Sequence, residues 1–189
     1  SVHSLKPITA LAAAAAQTDH FEGLTIQERA DCALASLAAR QGQEAQCAEG
    51  AKALLGTDLP TPGKGVLGEP YSCFWMGADQ WMVSADYAAH ERLDREVKAA
   101  IGDAGSVTEQ SDGWCRFDVT GERLQDVLER LCNVDLPAMQ AGDVSRSRLE
   151  HMACFIWCLE PRQKVAIYAP RSAAGSLHHG LVEAARSVL

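Results

Sequence analysis

With 189 residues, 47% hydrophobic and 22% charged, the chain is long enough for one domain with its own core and ordinary in composition for a globular protein. Its formal charge of −8, without a dense Lys/Arg block, excludes the basic face of a nucleic-acid binder. The run ITALAAAAAQTDH (8–20) is mostly alanine and soon turns polar, which excludes a membrane span.

Residues 1–27 read as an N-terminal arm and 28–189 as a single domain. RADCALASLAAR (29–40) reads as a strand. In QGQEAQCAEGAKALLG (41–56) a helix is expected, with Cys47, Ala48, Ala51, Leu54 and Leu55 on one face and Gly56 as its stop. TDLPTPGKGVLGEP (57–70) is rich in Pro and Gly and reads as a loop. YSCFWMGADQWMVSAD (71–86) predicts two strands around a turn at 77–80. Asp86 is the expected cap of a helix on which Leu93, Val97, Ala100 and Ile101 repeat before Gly102.

The second half repeats these kinds of element. GWCRFDVTG (113–121) alternates, with Cys115, Phe117 and Val119 on one face and Trp114, Arg116 and Asp118 on the other; it reads as a half-buried strand. Thr120 is the expected N-cap and Glu122 a first-turn acid for a helix striped by Leu124, Val127, Leu128 and Leu131, which Pro137 keeps from continuing. MACFIWCLEPRQKVAIYAP (152–170) is a hairpin turning near 160–163. Its first strand is apolar on both faces and must be covered on both sides. Ser172 is the expected cap of a last helix that buries Leu177, Leu181, Ala184, Ala185 and Val188. The element order implies an α+β fold: duplicated antiparallel sheets with helices on one face, in halves of about 28–104 and 105–189.

Chemistry is harder to find in the sequence. The seven cysteines (32, 47, 73, 115, 132, 154 and 158) form no C-x-x-C pair and read as buried free thiols in a reducing cytosol; a thiol-based redox protein is the alternative. His178 and His179 are adjacent, so on a helix they diverge by about 100° and cannot chelate one metal together. Neither His90 nor His151 has a sequence-adjacent carboxylate placed to suggest a base-and-orienter pair. There is no G-x-S-x-G and no G-x-G-x-x-G, and GKGVLGEP lacks the G-K-[ST] ending of a phosphate loop. Asp118 and Glu122 are read as a solvated strand residue and a helix-dipole acid rather than a carboxylate pair. Trp75 and Trp81 are read as packing or interface aromatics, with a pterin platform as the alternative. No catalytic, cofactor-binding or metal-binding residue is therefore assigned, and the pattern suits the partner of an enzyme better than an enzyme by itself.

Several stretches together resemble a known family. They are W-x-G-x-D-x-W (75–81), the S-D-G strand (111–113) leading to T-G (120–121), C-N-V-D-L-P (132–137) and R-S-x-A-x-S-L (171–177), within a likeness covering roughly 28–189. In this order they resemble the gamma subunit of heterotetrameric sarcosine oxidase, a family similar in fold to the folate-binding aminomethyltransferases of the glycine cleavage system. The resemblance implies a non-catalytic, cytoplasmic subunit working with alpha, beta and delta partners. The complex would oxidatively demethylate sarcosine to glycine, with hydrogen peroxide and either formaldehyde or methylenetetrahydrofolate. It also implies that FAD, FMN, NAD and tetrahydrofolate belong to the alpha and beta subunits and zinc to delta, with no nucleic acid and no membrane involved. The alternatives are a gamma subunit serving another N-methyl amino acid, and a free-standing folate-binding aminomethyltransferase-like enzyme.

Overall fold

The computed structural model describes residues 5–149 and 151–189; positions 1–4 of the expected arm lie outside the described residues. In chain order the first elements are β1 (Thr18–Phe21), β2 (Leu24–Arg29), β3 (Cys32–Ala39), α1 (Glu44–Leu55), β4 (Gly65–Val66), β5 (Ser72–Gly77), β6 (Gln80–Asp86) and α2 (Leu93–Ile101). The rest are β7 (Gly105–Glu109), β8 (Trp114–Thr120), α3 (Leu124–Leu128), β9 (Val144–Leu149), β10 (Met152–Glu160), β11 (Lys164–Pro170) and α4 (Ala174–Val188). Two antiparallel sheets result, ordered β1-β2-β8-β11-β10-β9 and β4-β5-β6-β3-β7. Set side by side, β2-β8-β11-β10-β9 and β7-β3-β6-β5-β4 correspond strand for strand.

This topology moves the boundaries read from the sequence. β1 and β2 are not part of a separate arm: β2 pairs with β8 from Thr25↔Thr120 to Arg29↔Arg116, inside the sheet of the second half. Conversely β7, whose residues fall within the expected second half, pairs with β3 of the first. Even residues 8–17 are tied down. Glu28, buried on β2, accepts from the amides of Leu11 (3.0 Å) and Gln17 (3.1 Å), and Arg171 donates to the carbonyls of Ile8 and Thr9.

Side-chain alternation builds four layers, helix–sheet–sheet–helix. On one outside, Ala33, Ala35 and Leu37 of β3 meet Cys47 and Ala51 of α1 and Leu93, Val97 and Ile101 of α2. On the other, Cys115, Phe117 and Val119 of β8 meet Leu124, Val127 and Leu128 of α3 and Leu177 and Leu181 of α4. Between the sheets lie Leu34, Phe74, Met82, Phe155, Trp157 and Tyr168. The Phe74 ring lies 5.2 Å from Trp157 and 5.1 Å from Tyr168, and such aromatic pairs add about 0.5–1.5 kcal/mol each to area burial. The two-sided apolar strand β10 thus finds both covers within the chain: Cys154, Ile156 and Cys158 face the helices, and Phe155 and Trp157 face the other sheet. No neighbouring polypeptide is needed for it.

The helix stops hold better than the helix caps. Gly56 closes α1 in the left-handed region (φ 72), its N–H returning to Lys52 O, a geometry that a side chain would strain. Asp86 caps only a turn, accepting from Ala89 N at 3.0 Å, and α2 begins seven residues later. Thr120 ends β8, Glu122 is exposed ahead of α3, and Ser172 sits in a 3-10 turn; none caps a helix. The C-N-V-D-L-P stretch leads into a 3-10 turn at Leu136–Ala138, with Asp135 as its cap, accepting from Ala138 N at 3.3 Å.

The T-G pair has a steric reason. Gly121 has φ 140, and a Cβ there would lie 2.1 Å from the carbonyl oxygen of Gly23 in the β1–β2 turn. Gly121→Ala is expected to destabilise the fold by about 3 kcal/mol or more, since backbone must move on both sides. A urea midpoint within experimental error of the parent would contradict this.

Candidate functional site

At one end of the sandwich an ion cluster closes the gap between the sheets. Alternation on β8 turns Arg116 and Asp118 away from the α3–α4 core and toward the opposing sheet. Asp118 is 1% exposed and accepts from Arg116 Nε (2.6 Å) and Nη2 (3.0 Å) and from Arg29 Nη1 of β2 (2.9 Å). Lys164 of β11 approaches to 3.7 Å. Arg116 also donates to Tyr168 Oη (3.1 Å) and to Cys32 Sγ of the other sheet (3.5 Å), with its guanidinium 5.5 Å from the Tyr168 ring centre. Burial works against the Arg116 charge, yet Tyr168 and Asp118 hold its pKa above the ordinary range. Asp31 does the same for Arg29, gripping it at 2.8 Å through both oxygens.

Asp118 is therefore not the solvated strand residue expected, and it makes no pair with the exposed Glu122. Nearly all its acceptor capacity is used within the chain, where it ties Arg29 of β2 and Arg116 of β8 together. The signal was legible: two opposite charges on one face of a strand whose neighbours are apolar.

Two grooves open beside the cluster and share Arg29, Cys32 and Arg116 as lining. One, of about 530 Å³, runs past Leu67, Glu69 and Asp86; the other, of about 480 Å³, runs past Ile8, Tyr87, Trp114 and Arg171. Neither is lined by Trp75 or Trp81. Those two tryptophans sit opposite each other on β5 and β6, but Trp81 packs on the α1–α2 core and donates to Pro60 O (2.8 Å), while Trp75 packs toward the inter-sheet core. Both are engaged in packing, and neither lines a groove.

Two histidines have carboxylate partners that the sequence reading missed. His90 Nδ1 lies 2.8 Å from Glu96 Oε2, which also accepts from Tyr71 Oη at 2.7 Å. His178 Nε2 lies 2.7 Å from Asp19 and stacks on Phe117, joining α4 to β1; His179 is exposed, in keeping with the helical divergence. His151 is exposed at the turn before β10. The GKG segment is not wholly loop: Gly65–Val66 form β4, and Lys64 pairs with Asp143.

All seven cysteines are free, and burial pushes every thiol pKa upward, to about 11 at Cys115 and about 12 at Cys154. Redox cysteines need the opposite shift. Among the described residues no helix is long and apolar enough to cross a membrane.

Fold and cluster together define a two-sheet, four-helix α/β module pinned by a buried charge hub. No protein-family model matches the sequence, and no curated protein matches it significantly. Solved structures do share the fold. A chain of the heterotetrameric sarcosine oxidase from Corynebacterium sp. U-96, solved with pyrrole 2-carboxylate, superposes with a TM-score of 0.75 at 22% identity, covering 87% of this chain and 85% of that one. The glycine cleavage system aminomethyltransferase T from Bartonella henselae gives 0.60 at 13% identity over 88% of this chain; the match spans only 53% of the aminomethyltransferase.

Proposed function

We propose that the chain is the gamma-type structural subunit of a heterotetrameric, sarcosine-oxidising flavoprotein. One observation carries the reading: the fold agrees nearly end to end with a chain of such a heterotetramer, and the near-equal coverage makes the two chains similar in length. The corresponding strand orders of the two sheets support a duplicated sheet-plus-helix unit, in which β2 supplies to the second sheet what β7 supplies to the first. A non-catalytic role is favoured by how its reactive groups are committed: Asp118 is used up by Arg29 and Arg116, and the thiols are held protonated by burial. Flavins, NAD, folate and zinc are then the business of alpha, beta and delta partners, in the cytoplasm. β10, covered within the chain, gives this reading no support.

Co-expression with the larger chains of the same gene cluster tests it. The expected product is a yellow complex that releases hydrogen peroxide on sarcosine and contains this chain in fixed proportion. A chain that always elutes alone would overturn the reading. A complex that prefers another N-methyl amino acid would keep the subunit role and change the substrate. The likeness to aminomethyltransferase T favours a second reading, a free-standing folate binder. Micromolar binding of tetrahydrofolate by the isolated chain would establish that reading instead.

A further inference from the structure

The large hydrophobic side chains that remain exposed among the described residues are Leu5 (95%), Ile8 (59%), Leu67 (45%) and Tyr87 (41%). They are not scattered. Ile8 and Tyr87 line one of the two grooves beside the charge cluster, Leu67 lines the other, and Leu5 lies on the segment that carries Ile8. Scattered apolar residues need no explanation, but a set gathered at two adjoining grooves marks an interaction surface.

Charge gives the occupant. In a chain of net −8, the groove between Ile8 and Tyr87 is lined by three arginines, Arg29, Arg116 and Arg171, and one carboxylate, Asp112. Asp118 and Asp31 balance the first two from behind. Arg171 spends Nη2 on the Ile8 and Thr9 carbonyls, its carboxylate partner Asp112 is 92% exposed and 3.5 Å away, and among the described residues its Nε has no partner.

We propose that this groove receives an extended segment of a larger partner chain, bearing a carboxylate for Arg171 between aliphatic side chains for Ile8 and Tyr87. The inference rests on the subunit reading and adds to it the place and chemistry of the contact.

The test uses the co-expressed complex. Ile8→Glu and Tyr87→Glu should each raise the concentration at which it half-dissociates, read by analytical ultracentrifugation, at least tenfold, and leave the melting temperature of the isolated chain unchanged. Lys52→Glu, on α1, should change neither. A zero-length carbodiimide applied to the unsubstituted complex should join Lys6, next to the groove, to an Asp or Glu of the partner within an apolar stretch. Unchanged assembly of both groove variants, or a Lys6 found joined only within its own chain, overturns the docking site and leaves the subunit reading standing. Self-association through these residues overturns it too. Failure of the unsubstituted chain to assemble removes both.

Discussion

Asp118→Ala is expected to cost about 3–5 kcal/mol, because it leaves the Arg116 guanidinium inside the molecule without its counter-ion. Arg116 is only 12% exposed and directs Nε and Nη2 to Asp118; Tyr168 and Cys32 remain to it but carry no opposing charge as they stand. Arg29 suffers less, since Asp31 still holds it at two points. In a domain of this length the loss corresponds to a melting temperature lower by roughly 6–20 °C. A second variant separates the unpaired charge from the missing contacts. In Arg116→Met/Asp118→Leu the charges go together, and buried ion pairs replaced by apolar residues of similar size are often neutral. The double variant is therefore expected to recover most of the stability lost in Asp118→Ala. Urea unfolding of both decides the matter: a cost below about 1 kcal/mol for Asp118→Ala would mean that water reaches the cluster and screens it.

Alkali is expected to unfold the protein well before its arginines titrate. An ordinary thiol loses its proton near pH 9.0, whereas burial holds that of Cys115 to about 11 and that of Cys154 to about 12, and pushes Cys73 higher still. Above pH 9 the unfolded chain releases these protons and the folded chain keeps them. Stability from this source is thus complete below pH 9 and is lost as the pH climbs toward the folded values. Each thiol contributes about 1.4 kcal/mol per pH unit, so three together remove on the order of 4 kcal/mol per unit, from a total that is typically 5–15. Tyr168, whose phenol burial also pushes up, acts in the same direction. Circular dichroism should show cooperative unfolding by about pH 11, and Cys115→Ala/Cys154→Ala should move the alkaline midpoint upward once its own packing cost is allowed for. A flat stability between pH 9 and 11 would refute the account. The same shift predicts that iodoacetamide at pH 8 labels the native chain far more slowly than the unfolded one.

Individual segments show what a sequence pattern can carry. The alternation of GWCRFDVTG assigned each side chain of β8 to its face, and helical spacing picked out Leu93, Val97 and Ile101 of α2 and Leu177 and Leu181 of α4. β7 and β9 escaped. Gly-Ser-Val-Thr-Glu and Val-Ser-Arg-Ser-Arg-Leu carry few apolar residues because each is an edge strand that packs little and is held mainly through backbone pairing. The caps misplaced at Asp86, Thr120 and Ser172 have another cause: each strand is followed by a turn before its helix, and short polar residues suit such turns as well as they suit caps. The partners of His90 and His178 depended on folding too, since Asp19 lies 159 residues from His178 along the chain.

The sequence by itself determined which residues alternate, where helices stop and that β10 must be covered twice, because periodicity and glycine conformation act over a few neighbours. Only the tertiary structure decided what does the covering, that β2 joins a sheet about 90 residues further on, and that Asp118 is buried among arginines. Those outcomes are long-range pairings between strands whose local patterns fit several partners, and the choice among them is made by packing the whole chain at once.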